Sequence, residues 1–204
     1  SRLCPADLDP ALIASARVLH VSAITPALSP SARESVAYAI GVARAAGVLV
    51  SLDVNYRRAL WSPAEAGAWL RETVGGVDVL FATEAEGRLI ADVAGPAELA
   101  KALAALGPSY VLVKSGAEGA LELSGGVVRR GRPYRVTEVD PVGAGDAFAA
   151  GWLADWLAGA EPERRLDTAC AAGAFAVTSQ GDWESLPRRA DLGLLGRPGD
   201  GVSR

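Results

Sequence analysis

The sequence has no Met, one His and two Cys in 204 residues, and its aromatic content is 6%. Each shortage excludes something. His20 has no second His, no Cys and no acidic set near it at ligand spacing, so no zinc site is encoded and His20 reads as a structural residue on a strand. Cys4 and Cys170 lie far apart and match no redox spacing, which excludes a disulfide framework. A reduced, cytoplasmic setting is the expectation. Lys101 and Lys114 are the only lysines, and the formal charge of −4 gives no reason to expect nucleic acid or an anionic membrane as a partner. Polar residues interrupt every apolar run before membrane-spanning length, and the opening residues are not expected to form a secretory signal. No Gly-Lys-Ser/Thr occurs, so there is no P-loop, and no dinucleotide fingerprint opens a helix. The missing Met leaves two readings of Ser1, an upstream start or removal of the initiator.

What is present is a folding composition. Half of the residues are hydrophobic, enough for a sizeable core. Short apolar runs alternate with amphipathic stretches, the pattern of parallel α/β folds. Strands are predicted over 18–24, 48–54, 77–82 and 110–114, each rich in Val, Leu or Ile as strands buried on both faces are. Helices are predicted over 31–46, 63–74, 97–106, 144–158 and 162–179. Ser29-Pro30 starts the first, Ser62 with Glu65 forms a capping box for the second, and Gly107-Pro108 stops the third. The 144–158 segment is apolar nearly all round and is expected to be central and buried. Two β-like runs over 121–136, split by Gly125-Gly126, suggest a hairpin. A single domain is expected over 1–187, with a flexible Gly-, Arg- and Pro-rich tail over 188–204.

Residues 140–148 read Asp-Pro-Val-Gly-Ala-Gly-Asp-Ala-Phe and carry the most chemistry. A glycine-rich turn before a helix leaves backbone N–H groups without helical partners, and the helix dipole adds partial positive charge, so the turn is suited to an anion such as phosphate. Asp146 beside it could take a proton from an attacking hydroxyl; anion site plus base is the minimum equipment for phosphoryl transfer to an alcohol. The competing reading is that Asp146 only complements the dipole.

Other polar residues follow predicted strands, where ligands sit in open α/β sheets. Asp53, Asn55 and Arg57 follow the second strand, and Arg57 could pair with a carboxylate or phosphate, unless it is a surface Arg with Tyr56 and Trp61 packing beside it. Thr83-Glu84-Ala85-Glu86 follows the third. Its carboxylates could influence a magnesium ion, or Thr83 and Glu86 form a capping box. Lys114-Ser115-Gly116 with Gly119 follows the fourth, where a lone Gly-x-x-Gly reads as a turn.

Taken in order, these motifs resemble the PfkB (ribokinase-like) family of carbohydrate kinases over most of the chain. The stretches His20 through Pro30, Asn-Tyr-Arg-x-x-Leu-Trp from Asn55, and 140–148 look most like the 2-keto-3-deoxygluconate kinases. The resemblance implies a ribokinase-like α/β fold, with a mainly parallel central sheet and helices on both faces. It implies ATP, Mg2+ and a small sugar or sugar acid as ligands, with a monovalent cation as a further candidate. It makes Asp146 the catalytic base and a sugar contact, and the amides of Gly143, Ala144 and Gly145 the anion hole, with Gly143 and Gly145 also meeting the nucleotide. Lys114, Ser115, Gly116 and Gly119 belong to the nucleotide side, Asn55, Tyr56 and Arg57 line the sugar cleft, and Glu86 acts on magnesium through water. The departures are Thr83 where the family has Asn, Cys170 in place of an Asn on the adenine-side helix, and Gly181-Asp182 where Gly-Ala is usual. Family members also carry an additional N-terminal section with the first strands, a sugar contact and a lid that often forms the dimer surface. An N-terminally truncated chain with an exposed sheet edge is therefore the expectation, with homo-oligomerisation through the lid.

Overall fold

A computed structural model of the chain describes residues 1–181, 183–184 and 186–195. They form two compact units. One comprises Ser1–Lys114 with Leu121–Val128, the other Ser115–Ala120 with the described residues from Arg129 onward.

The first unit begins with α1 (Pro10–Ser15), β1 (Val18–Ser22), α2 (Ile24–Ala27), α3 (Pro30–Ala45), β2 (Leu49–Asp53), α4 (Pro63–Thr73), β3 (Val79–Thr83), α5 (Glu84–Gly87), α6 (Pro96–Ala104) and β4 (Tyr110–Lys114). β5 (Ala120–Ser124) and β6 (Val127–Gly131) follow. The sheet runs β1-β2-β3-β4-β5-β6, each strand beside its predecessor. β1 to β4 pair in parallel, with Ser22 opposite Asp53 and Thr83 opposite Lys114. The carboxyl ends of β2, β3 and β4 are thereby brought side by side. β2, β3 and β4 are buried at consecutive positions, as the unbroken apolar runs require.

The helices form where the predicted caps stand. Ser29 accepts the Ala32 N–H at 3.1 Å with Pro30 in the first turn of α3, whose buried Ala32, Val36, Ala39, Ile40 and Ala43 make one stripe. Ser62 and Glu65 form the expected capping box on α4. α1 and α2 were not expected; they are short, and only Pro26 of the two is buried, so neither carries the apolar periodicity that reveals a helix. The second β-like run also ends early. β6 stops at Gly131 because Pro133 cannot donate to a ladder.

The second unit holds α7 (Ala144–Leu157) and α8 (Pro162–Ala176), which pack on each other through Ala147, Ala172 and Ala176. α7 is not buried all round. Ala147, Phe148, Ala149, Trp152 and Asp155 are buried while Ala150 and Ala154 are exposed, because small alanines on the outer face make an apolar helix without needing cover. Asp155 is a buried carboxylate that the apolar pattern hides. It accepts from Thr168 Oγ1 at 2.6 Å and pairs with Arg189, with Arg164 at 3.6 Å. Burial pushes its pKa up, but those hydrogen bonds and cationic charges outweigh burial and hold the carboxyl below its usual range. Cys170 of α8 faces Gly131 closely enough that a Cβ there would lie 2.6 Å from its Sγ. Burial, with a smaller contribution from Asp167, pushes its thiol up to about 12, the behaviour of a packing residue rather than a reactive one. Within the expected flexible tail, Arg188 N–H bonds Asp191 Oδ2 at 2.8 Å and a short 3-10 turn, Asp191–Leu194, brings Leu192 against the alanine cluster. The rest of that tail, 196–204, and Asp182 lie outside the described residues.

Candidate active site

The carboxyl ends of β2 and β4 meet in an ion pair. Lys114 Nζ lies 2.9 Å from both Oδ1 and Oδ2 of Asp53, whose side chain is 1% exposed. Lys114 and Asp53, read from the sequence as separate polar candidates, are thus partners. Their residue types carry no mark of it, since they lie 61 positions apart.

Beyond β2 the chain turns sharply. Val54 N–H donates to Phe81 O at 3.0 Å, and Tyr56 N–H donates to Glu86 Oε1 at 2.9 Å. Between them Asn55 has φ +35°, the one described non-glycine residue in the left-handed region. Tyr56 Oη donates to Trp61 O at 3.1 Å. Arg57 is exposed, and neither it nor Asn55 makes a side-chain hydrogen bond within the described residues. Beyond β3, Thr83 and Glu86 form the capping box of α5. Glu86 Oε2 accepts Thr83 N–H at 2.7 Å and Thr83 Oγ1 at 2.9 Å.

Among the described residues no cluster of three or more His, Cys, Asp or Glu is disposed to hold a metal ion. Mg2+ needs no such cage, since it keeps several waters and commonly takes one or two carboxylates plus substrate phosphates. Partly exposed Glu86, already accepting three hydrogen bonds, fits a role through water.

In the second unit, Ser115 N–H donates to Gly119 O at 2.9 Å and closes a short turn over Gly116–Glu118. Gly116 at φ +56° has open space around it, whereas Gly119 at φ +85° would put a Cβ 2.5 Å from Gly131 O. Both ask for glycine, the first for conformation and the second for conformation and room. Ser115 and Gly116 are exposed.

The 140–146 turn is held from behind. Val139 and Asp140 N–H groups donate to Val177 O at 2.7 and 3.3 Å. Asp140 accepts from Val142 N–H at 3.0 Å and Gly181 N–H at 3.1 Å; these bonds hold its carboxyl below the usual range. Gly143 is the N-cap of α7 at φ +80°, a left-handed conformation that glycine takes without strain. Gly143 O accepts Ala147 N–H at 2.8 Å, while the N–H groups of Gly145 and Asp146 have no partner among the described residues. Ala144 N–H has only a long contact of 3.4 Å to Pro141 O. Asp146 is exposed in the first turn. The turn therefore presents backbone donors at the positive end of a helix dipole, with a carboxylate beside them. Asp140 was passed over by sequence reasoning as part of the motif, although an Asp two residues before an N–H it can reach is a recognisable turn signal.

The mainly parallel sheet with its helices is a ribokinase-like α/β fold, as its likeness to solved structures shows. A model of the pfkB family of carbohydrate kinases matches residues 5–189, and the chain belongs to that family. A 2-dehydro-3-deoxygluconokinase from Thermoproteus tenax is 39% identical over 92% of this chain and 57% of its own length. A fructokinase from Escherichia coli is 36% identical over 85% of this chain and 59% of its own. A structure described as a ribokinase II from E. coli, in complex with ATP and Mg2+, superposes with a TM-score of 0.87 at 27% identity, covering 95% of this chain and 62% of that one. The chain thus spans less than two thirds of the length of these relatives. No helix among the described residues is long and apolar enough to cross a membrane.

Proposed function

We propose that this chain carries the catalytic residues of an ATP-dependent sugar kinase that phosphorylates a primary hydroxyl of a sugar or sugar acid. Asp146 accepts the hydroxyl proton as the sugar oxygen bonds to the γ-phosphorus, and the bond to the departing ADP oxygen breaks. The amides of Gly143, Ala144 and Gly145 hold the charge on the phosphoryl group in flight. Lys114, Ser115, Gly116 and the Gly119 turn serve the nucleotide, and Asn55, Tyr56 and Arg57 serve the sugar. Magnesium, when bound, neutralises phosphate charge, with Glu86 ordering its waters. The observation that carries this reading is the turn before α7, with left-handed Gly143, unpartnered N–H groups at Gly145 and Asp146, and exposed Asp146.

2-Keto-3-deoxygluconate is the first substrate. The Arg57 guanidinium, with no side-chain partner in the described residues, suits its carboxylate, and the T. tenax relative bears the corresponding name. A ketose such as fructose is the second reading, supported by the fructokinase relative. A cytoplasmic setting, a monovalent cation and homo-oligomerisation through the family's lid belong to the same proposal. The purified protein should release ADP from Mg-ATP in the presence of 2-keto-3-deoxygluconate and much more slowly with fructose. Turnover with fructose alone would move the substrate assignment. ATP binding without turnover on any sugar would make the chain a non-catalytic nucleotide-binding protein.

A further inference from the structure

The carboxylate of Glu86 does two things at once. Its Oε2 completes the capping box with Thr83, a local arrangement within three residues. Its Oε1 reaches across to Tyr56 N–H, 30 residues away in sequence. A capping box needs only one of the two oxygens. The second contact has a different consequence. Val54 N–H is already tied to Phe81 O, so the chain is held on both sides of Asn55, which sits at φ +35°. A non-glycine residue persists in that region only where its surroundings over-determine it. The far side of the loop is held as well. Tyr56 Oη donates to the carbonyl of Trp61, which is 7% exposed and packs on Trp69 at 5.8 Å between ring centroids. Tyr56 is therefore bound at its amide and at its hydroxyl. Its two neighbours, Asn55 and Arg57, are the ones whose side chains are left without hydrogen bonds in the described residues.

We propose that Glu86 is a positioning residue for the 55–57 loop: by accepting the Tyr56 N–H it keeps Asn55 left-handed and Arg57 placed, and so governs affinity for the sugar. Tyr56 is then a strut of the loop rather than a contact through its hydroxyl. This inference rests on the sugar reading of that loop. It assigns Glu86 a task in which no metal takes part.

The test uses Glu86→Gln. One glutamine oxygen can still accept Thr83 N–H, so the cap and the fold survive, but the amide NH2 then faces the Tyr56 N–H and cannot accept it. Three quantities are measured: hydrogen exchange over 54–61 without ligands, the dissociation constants of 2-keto-3-deoxygluconate and fructose from tryptophan fluorescence without nucleotide, and the affinity for Mg-ATP. Exchange over 54–61 should quicken and the tighter sugar should weaken, each about tenfold for one lost charge-assisted hydrogen bond. Mg-ATP affinity, which Glu86 also touches through the waters of magnesium, should fall by no more than sugar affinity does. Thr83→Ala, which breaks the cap and spares the Tyr56 contact, should leave exchange over 54–61 nearly unchanged. Unchanged exchange and sugar affinity in Glu86→Gln, or a loss confined to Mg-ATP, overturns the positioning role. A wild-type chain that binds neither sugar overturns the sugar reading of the loop, and the inference with it. The exchange measurement then still decides whether Glu86 holds the loop.

Discussion

The carboxyl edge of the sheet and the start of α7 solve the placing of polar groups in opposite ways. At the sheet edge the buried and half-buried ionisable side chains are already committed: Asp53 to Lys114, Glu86 to Thr83 and Tyr56. At α7 the proposed anion site is made of backbone N–H donors that the helix geometry itself leaves over, and the proposed base, Asp146, is exposed. In the first region the buried Asp53 charge is balanced internally, and a change to that pair should spread into stability. The second offers unsatisfied groups to solvent or ligand, and a change there should fall on chemistry and spare the fold.

The largest effect that would break this contrast lies at Asp146. Asp146→Asn keeps the turn and its donors but cannot take a proton, so phosphoryl transfer should fall by about 10²–10⁴-fold or more with ATP affinity and melting temperature near wild type. A variant that keeps its turnover removes Asp146 as the base; one that melts early removes the contrast.

At the sheet edge the expectation reverses. Lys114→Met removes the cation beside the buried Asp53 carboxylate and should cost about 3–5 kcal/mol in urea unfolding. Pairing it with Asp53→Asn should return most of that loss, because the penalty lies in the buried charge rather than in the missing pair. If the double variant is no more stable than the single one, Asp53 and Lys114 are not energetic partners.

Smaller effects separate the two glycines of the 115–119 turn. Gly119→Ala drives a Cβ into the Gly131 carbonyl and should be clearly more destabilising than Gly116→Ala, which meets only the left-handed strain of about 1 kcal/mol. Comparable melting temperatures for the two would show that room at Gly119 is not limiting.

The smallest concerns Asp140. Its folded-state pKa is depressed by the Val142 and Gly181 N–H bonds. A depressed carboxylate contributes stability that is present above its ordinary value of 3.8 and is lost as pH falls through the lower folded value. Asp140→Asn should therefore shrink the difference in stability between neutral and strongly acidic pH, read from melting temperature against pH. An unchanged acid limb would mean that the turn is held by the Val177 carbonyl alone.

The parts of this protein legible in its sequence are those with short-range causes. β4 spans its predicted residues, and β1 to β3 overlap theirs within two residues at either end, because continuous apolar runs and β-branched residues have few other uses. The caps at Ser29, Ser62 and Thr83 are equally local, a side chain meeting an N–H three residues on. The same holds for the start of α7, which Gly143 caps through its own left-handed backbone. By contrast, nothing near Glu86 in the chain points to Tyr56, and nothing near Asp155 points to Arg189.

The sequence by itself thus determined the alternation of strands and helices, the parallel class of the sheet, the starts of the longer helices and the family of the chain. Tertiary structure alone decided which polar groups were spent on one another: Lys114 on Asp53, Glu86 on the loop after β2, Asp140 on Gly181 beyond α8. The reason is physical. Periodicity and capping depend on neighbours within one turn or one strand, while a charge-assisted hydrogen bond across 30 or 61 residues exists only once the chain has folded and brought its ends of strands together.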